Sequence, residues 1–371
     1  MKKRMALLLV LAMTGCLFAG CGSGGGDAGQ APSDAAEAPA SDAADGDAAP
    51  AESTGSGGGY TIALCNNSLG ETWRYQMVAE FEQAAEELKE QGVIKEYLET
   101  NADADASKQI SDMEDLISKG VDGILIAVQN PTALNNIIEE AADAGIKVVA
   151  FNALPDTDKV VAKVNQSDEN FGRIGAEFLV EALDGKGKII VLQGVAGNTI
   201  SIGRWNGAKA VFDQYPDIEI VGEANGDWDY SAGKAATEAL LSANPEIDGV
   251  WSQGGAMTQG AIDAFVAAGR PLVPMSGESG NGFMASWLQY KGVDKFDSVA
   301  PVYDCAMVVD AMNVLIDALD GKEVEFDQSD MHMDVITADT IEDYYRPDLP
   351  DSYWAGTRLT DENLKKLFEV K

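Results

Sequence analysis

Histidine is almost missing from this chain. His332 is the only one among 371 residues. Flanked by methionines in a segment that reads as a strand, it offers neither a multi-histidine metal site nor a Ser-His-Asp triad. Bases are scarce as well: 26 Lys and Arg stand against 61 Asp and Glu, for a net charge of −35. A face basic enough to neutralise phosphates cannot be assembled, which excludes nucleic acid as a partner. The surplus acid reads as a solvated surface. No Gly-x-x-x-x-Gly-Lys-Ser/Thr motif occurs. The nearest glycine-rich loop, Gly194-Val195-Ala196-Gly197-Asn198, lacks the lysine that would reach a nucleotide phosphate. Asp103-Ala104-Asp105-Ala106-Ser107, with Glu114 further on, imitates part of a calcium loop. Lys108 stands where that loop needs glycine, so the segment reads as a cap on a helix over 107–118. No metal and no cofactor are expected. Of the four cysteines, only Cys65 and Cys305 lie beyond the N-terminal region. They are either bonded or two separate buried thiols, and spacing does not choose between these.

The single long apolar run is at the start. Lys2, Lys3 and Arg4 precede Met5–Met13, a stretch of signal-peptide length and too short to stay in a bilayer as a spanning helix. Ala19 and Gly20 then present Cys21 as the expected lipid-attachment residue, with Thr14-Gly15-Cys16 a second candidate. Residues 22–59 are rich in Gly, Ala, Asp and Ser and hold almost nothing to bury, so a flexible, solvated linker is expected there. A signal peptide over 1–21 and that linker would tether the rest to the outer side of the cytoplasmic membrane through acyl chains.

From Tyr60 the pattern alternates strand and helix. Tyr60–Cys65 reads as a strand. Trp73, Met77, Phe81, Ala84, Ala85 and Leu88 mark one face of a helix over 71–89. Val121–Val128 reads as a strand buried on both faces, and Lys147–Phe151 as the next. A second series follows Asp168, with strands at Lys188–Leu192, Ile218–Gly222, Gly249–Trp251 and Leu272–Met275 and helices between them. Ser298–Val302 and Met331–Thr337 read as further strands, and Asp304–Leu319 as a long helix. Such alternation predicts right-handed crossovers and two parallel sheets, with ligand at the carboxyl ends of the strands. The fold class is therefore α/β.

Polar and aromatic residues recur just past those strand ends. Asn66, Asn67 and Ser68 follow the first strand, with Trp73 and Arg74 behind them. Gln129 and Asn130, then Asn152, then Asn165, Gln166, Ser167 and Asp168 do the same, as do Asp227-Trp228-Asp229 and Ser276-Gly277-Glu278. Flat aromatics with amides, carboxylates and an arginine at the rim suit a polyhydroxylated ligand, whose hydroxyls both donate and accept.

Over roughly Tyr60–Thr337 the chain resembles the periplasmic sugar-binding proteins of ribose-binding type, the substrate-binding components of ABC importers. The motifs that carry this are Ile62-Ala63-Leu64, Gly123-Ile124-Leu125-Ile126 leading to Asn130-Pro131-Thr132, Leu192-Gln193-Gly194-Val195-Ala196-Gly197, Asp227-Trp228-Asp229, and Met257 with Gly260-Ala261 after Trp251-Ser252-Gln253. The resemblance implies two Rossmann-like lobes joined by three crossings, closing on a sugar. It implies an N-terminal lobe of 60–166 plus 302–331 and a C-terminal lobe of 167–301 plus 332–340, leaving 341–371 as a tail on the surface. By motif position it assigns ligand contact to Trp73, Arg74, Asn130, Asn152, Arg204, Trp228 and Glu278, to which the strand-end pattern adds Asn67 and Asp168. Gly254-Gly255 departs from the family's Asn-Asp, which implies a lost contact and more room. Arg74 replaces an aromatic, and Asn152-Ala153 an Asp-Arg pair, which opens the site to a larger, modified or anionic ligand. The expected role is a monomeric, non-enzymatic receptor that hands a sugar or sugar-like solute to a membrane permease. A sensory receptor signalling to a kinase or chemoreceptor would use the same cleft. An extracellular carbohydrate-active enzyme working through Asp227, Asp229 and Glu278 is the remaining alternative.

Overall fold

The computed structural model describes residues 58–370. The expected signal peptide, Cys21 and nearly all of the 22–59 linker lie outside them. The first sheet is built from β1 (Tyr60–Asn66), α1 (Thr72–Glu90), β2 (Ile94–Asn101), α2 (Ala106–Lys119), β3 (Gly123–Ile126), α3 (Asn135–Asp143), β4 (Lys147–Phe151) and β5 (Ala162–Gln166). The second follows with α4 (Asp168–Ala182), β6 (Gly187–Gln193), α5 (Thr199–Phe212), β7 (Ile218–Asn225), α6 (Tyr230–Ala243), β8 (Gly249–Ser252), α7 (Gly255–Ala267), β9 (Met275–Ser276), α8 (Asn281–Tyr290) and β10 (Ser298–Pro301). The chain then returns through α9 (Met307–Leu319) and β11 (Asp327–Met331), and leaves again for β12 (Val335–Ile336), α10 (Ile341–Tyr344) and α11 (Asp361–Leu367).

The strand orders are β2-β1-β3-β4-β5-β11 and β7-β6-β8-β9-β10-β12. Every pairing is parallel except β10 with β12. Parallel strands covered by helices on both faces lose alternation, which is why β3 is buried at all four positions. Each sheet accordingly separates two apolar clusters, one per face. Helix ends follow local chemistry. The Asp105 carboxylate accepts from the Ser107 and Lys108 backbone N–H groups and starts α2, while Gly120, at φ +66°, ends it. The calcium-like residues are thus a helix cap.

An unexpected strand appears, and two expected elements differ. β2 is an edge strand whose Lys95 and Glu96 are exposed, so no apolar run announces it. The strand expected over 272–275 shrinks to two residues because Pro271 and Pro274 donate nothing to a ladder. Met331–Thr337 is two short strands in different sheets, and His332 lies in the crossing between them, exposed, with Nε2 3.0 Å from Asp334 Oδ1.

The chain crosses between lobes at Ser167, at 302–306 and at 332–334. One side chain laces them together. Gln166 Nε2 donates to the His332 carbonyl, and Gln166 Oε1 accepts from the Asp304 N–H, both at 2.8 Å. Val302 N–H donates to the Asp334 carbonyl at 2.8 Å. The tail does more than pack over the surface. It buries Trp354 in the apolar cluster of the first lobe and Ala355 in that of the second. Cys65 and Cys305 are free and buried.

Candidate ligand cleft

At the carboxyl ends of both sheets lies a cavity of about 340 Å³, lined by Glu71, Trp73, Arg74, Asn152, Ile200, Arg204, Trp228, Glu278, Tyr303 and Trp354. Six of the nine expected ligand-binding residues line it.

The first lobe contributes the start of α1. Its N-cap, Glu71, makes no side-chain capping bond, so the carboxylate is left at the cleft. Trp73 Nε1 donates to the Tyr303 carbonyl at 2.8 Å. The Arg74 guanidinium lies over the Trp73 ring and donates through Nη2 to Asn152 Oδ1. Its Nη1 is buried without a partner among the described residues. Arg74 therefore meets an amide and an indole face, and burial pushes its pKa down. Asn152 sits at φ +60°, a left-handed conformation that a non-glycine residue adopts at a cost and which recurs at functional sites. Its Nδ2 lies 3.3 Å from the Tyr303 hydroxyl, which in turn donates to Asn165 Oδ1 at 2.8 Å.

The second lobe contributes an enclosed ion network. Arg204, 3% exposed, donates from Nη1 to the Gln253 carbonyl at 2.6 Å and from Nη2 to Glu278 Oε1 at 3.0 Å. Asp168 Oδ1 is 3.7 Å from its Nε. The guanidinium stacks on Phe171 at 3.7 Å and Tyr303 at 4.7 Å. The close crossing of α4 on α5 sets this position, since a Cβ on Gly172 would fall 1.7 Å from the Arg204 carbonyl oxygen. Burial alone would lower the Arg204 pKa, but Glu278 and Asp168 raise it, so the guanidinium stays charged. Burial pushes the Asp168 carboxyl up to about 7 against the opposing pull of Arg204.

Trp228 is wedged between glycines. A Cβ on Gly194 would lie 2.4 Å from its Cε2 and Cζ2, and one on Gly254 would lie 2.8 Å from its Cδ1. The Gly254 departure thus gives no extra room, because the indole fills the space. Asp227 and Trp228 both hold left-handed backbone, at φ +52° and +56°. Trp228 Nε1 is buried with no partner among the described residues.

Three expected residues lie elsewhere. Asn130 is exposed, and its Oδ1 accepts from the N–H groups of Thr132 and Ala133 and from the Thr132 hydroxyl. This turn before α3 keeps it out of the cleft. Asn67 is buried behind the lining and donates to the Val128 carbonyl at 3.4 Å. Asp168 stands one layer back, against Arg204. The sequence reading missed Glu71, Ile200, Tyr303 and Trp354. Tyr303 follows the end of β10 by two positions, so the strand-end rule would have reached it. Nothing in the tail marks Trp354.

Comparison with known proteins decides the family. A sequence model described as a periplasmic binding protein domain matches residues 62–323. The chain belongs to the periplasmic binding protein family. The xylitol-binding protein of Mycolicibacterium smegmatis is 32% identical over 181 residues, 48% of this chain and 52% of that protein. The match thus spans about half of that relative. The ribose import binding protein of Bacillus subtilis is 27% identical over 238 residues, 64% of this chain and 76% of that one. Among solved structures, an ABC transporter solute binding protein from Thermobispora bispora superposes with a TM-score of 0.73 at 27% identity, covering 84% of this chain and 95% of its own. As a periplasmic binding protein, the chain has two sheet-and-helix lobes with the cleft between them. Among the described residues no helix is long and apolar enough to cross a membrane.

Proposed function

We propose that this protein is the lipid-anchored, monomeric substrate-binding component of an ABC importer, capturing a sugar or sugar-like solute and presenting it to a membrane permease. The observation that carries the proposal is the cleft lining, to which both lobes contribute aromatic faces beside unpaired donors. Arg74 Nη1 from one lobe and Trp228 Nε1 from the other are buried without acceptors among the described residues. A buried donor left unpaired costs about 1–3 kcal/mol. A ligand rich in oxygen acceptors satisfies both at once while its C–H faces rest on Trp73 and Trp228. Contacts to both lobes exist only when the cleft is shut, so ligand shifts the population toward closure about the laced crossings. Arg74, facing an amide rather than a carboxylate, also accommodates an acidic or modified sugar. Cys21 attaches the lipid, and the acidic linker sets the reach from the membrane.

The test is a thermal-shift screen of the full chain against pentoses, hexoses, polyols, sugar acids and nucleosides. A ligand at 100 times its dissociation constant adds about 2.7 kcal/mol to the folded state. Stabilisation by one carbohydrate class is expected. Stabilisation by nucleosides alone, or by nothing in the screen, defeats the carbohydrate reading.

A further inference from the structure

The matched family region ends at residue 323, yet one wall of the cleft comes from beyond it. Trp354 belongs to the tail, and its position is held from both lobes. Trp354 N–H donates to Gln76 Oε1 at 3.0 Å, Gln76 Nε2 donates back to the Trp354 carbonyl at 2.9 Å, and the indole Nε1 donates to Thr72 Oγ1 at 2.8 Å. All three bonds run to α1 in the first lobe. The neighbours on either side are tied to the second lobe. Asn281 N–H donates to the Tyr353 carbonyl at 2.8 Å, and Ala355 N–H donates to the Ser279 carbonyl at 3.0 Å. Upstream, the Asn281 amide donates to the carbonyls of Arg346, Leu349 and Pro350, which fixes the approach of the tail. Downstream, Gly356 runs so close to the second crossing that a Cβ there would meet Val302 Cγ1 at 2.7 Å. The tail is therefore a fourth connection between the lobes, and Trp354 is rigid rather than draped.

Its placement bears on what the cleft admits. Beyond the inner cavity lies an outer recess of about 1080 Å³, lined among others by Asp227, Asp229 and Asp351. Among the described residues, only Glu71, Trp228 and Trp354 border both spaces. Of these, Trp354 is the most firmly anchored, with every polar group of the residue bonded.

We propose that Trp354 is a specificity-determining residue of the ligand cleft. Supplied by the tail, it closes the inner cavity against the outer recess and restricts it to single-ring or short-chain polyols. The inference rests on the carbohydrate-receptor reading above. Removing the indole joins the two spaces, so small ligands lose a wall while longer ones gain entry. Phenylalanine keeps the flat face and gives up only the bond to Thr72.

The experiment titrates the full chain and its Trp354→Ala and Trp354→Phe variants calorimetrically. The probes are D-ribose, D-allose, xylitol, myo-inositol and the disaccharides maltose and sucrose. Wild type is expected to bind a monosaccharide or polyol and neither disaccharide. Trp354→Ala should weaken that ligand about ten- to a hundredfold, as truncation of an interface tryptophan does, and narrow or reverse its advantage over the disaccharides. Trp354→Phe should retain the wild-type order. A merely structural role would lower affinities without changing their order, so an unchanged order in Trp354→Ala overturns the proposal. If Trp354→Ala fails to fold, a Trp354→Phe variant that admits disaccharides as wild type does not, or that reorders the panel, overturns it equally. Wild type binding none of the probes overturns this inference, because the cleft then does not select small neutral polyols, whereas the carbohydrate reading falls only if the wider thermal-shift panel fails as well.

Discussion

The wedge around Trp228 makes a prediction that needs no ligand. Gly194→Ala places a methyl group where the indole already is, since the added Cβ would fall 2.4 Å from Trp228 Cε2 and Cζ2 and 2.8 Å from Nε1. No real Cβ tolerates that approach, so the indole or the loop after β6 must move. Overpacking of this kind costs about 1–3 kcal/mol. The backbone at Gly194 is not left-handed, so alanine itself is not strained there. In a Trp228→Ala background the obstacle is gone. Gly194→Ala should then be neutral, or stabilising by about 0.4–1 kcal/mol through the lower entropy of the unfolded chain. The double-mutant cycle is read by urea unfolding followed with circular dichroism, because fluorescence would change with the tryptophan. A coupling of about 1–3 kcal/mol between the two sites is expected. If Gly194→Ala costs the same in both backgrounds, to within the ~0.5 kcal/mol scatter of independent sites, the wedge is not what orients Trp228.

Two further outcomes follow from buried ionisable groups. Glu80, 1% exposed, accepts from the Thr357 hydroxyl through Oε1 and from the Arg358 N–H through both oxygens, the nearer being Oε1, and burial pushes its carboxyl up to about 7. A raised carboxyl favours the folded state at low pH, and that contribution is lost as pH rises through about 7. Glu80→Gln keeps the accepting oxygen and should therefore raise the melting temperature at pH 8 but scarcely at pH 5. The difference is at most about 3 kcal/mol, and equal effects at both pH values would refute the assignment. Burial likewise pushes the Cys65 thiol up to about 11 and Cys305 well above its ordinary range. Iodoacetamide at pH 8, followed by peptide mapping, should modify neither in the native protein and both in urea. Rapid native labelling of either, or a peptide pair joined through both, would count against two inert buried thiols.

The lobes were legible because buried parallel strands announce themselves. Gly123–Ile126 and Lys147–Phe151 are short apolar runs closed by turns, and covering both faces of a sheet requires that composition. β2 was not legible, because an edge strand can keep lysine and glutamate on its open side and still pair. The site was legible in proportion to its nearness to a strand end. Asn152, Trp228 and Glu278 each follow a strand within three residues, Arg74 stands in the first turn of the helix that follows β1, and the topology delivers them to one place. Asn130 satisfies the same rule and fails for a local reason. An asparagine before Pro-Thr in a turn has backbone N–H groups within its own reach, and its side chain caps them instead of turning to the cleft.

Trp354 was illegible for a different reason. A strand-end residue is placed by local geometry, which periodicity reveals. Trp354 is placed by side chains nearly three hundred positions away, Thr72 and Gln76 in α1, and by backbone groups at Ser279 and Asn281 on the other lobe. No pattern within the tail encodes partners that remote. Its aromatic face and its position two residues before a left-handed glycine, Gly356 at φ +83°, are equally consistent with a solvated turn. What separates the two readings is burial of the indole between two lobes that must already be in place. The tail's structure therefore depends on both sheets. Its wall of the cleft is a property of the assembled lobes, and substitutions at Gln76 or Asn281 should be felt at the ligand although neither residue lines the cavity.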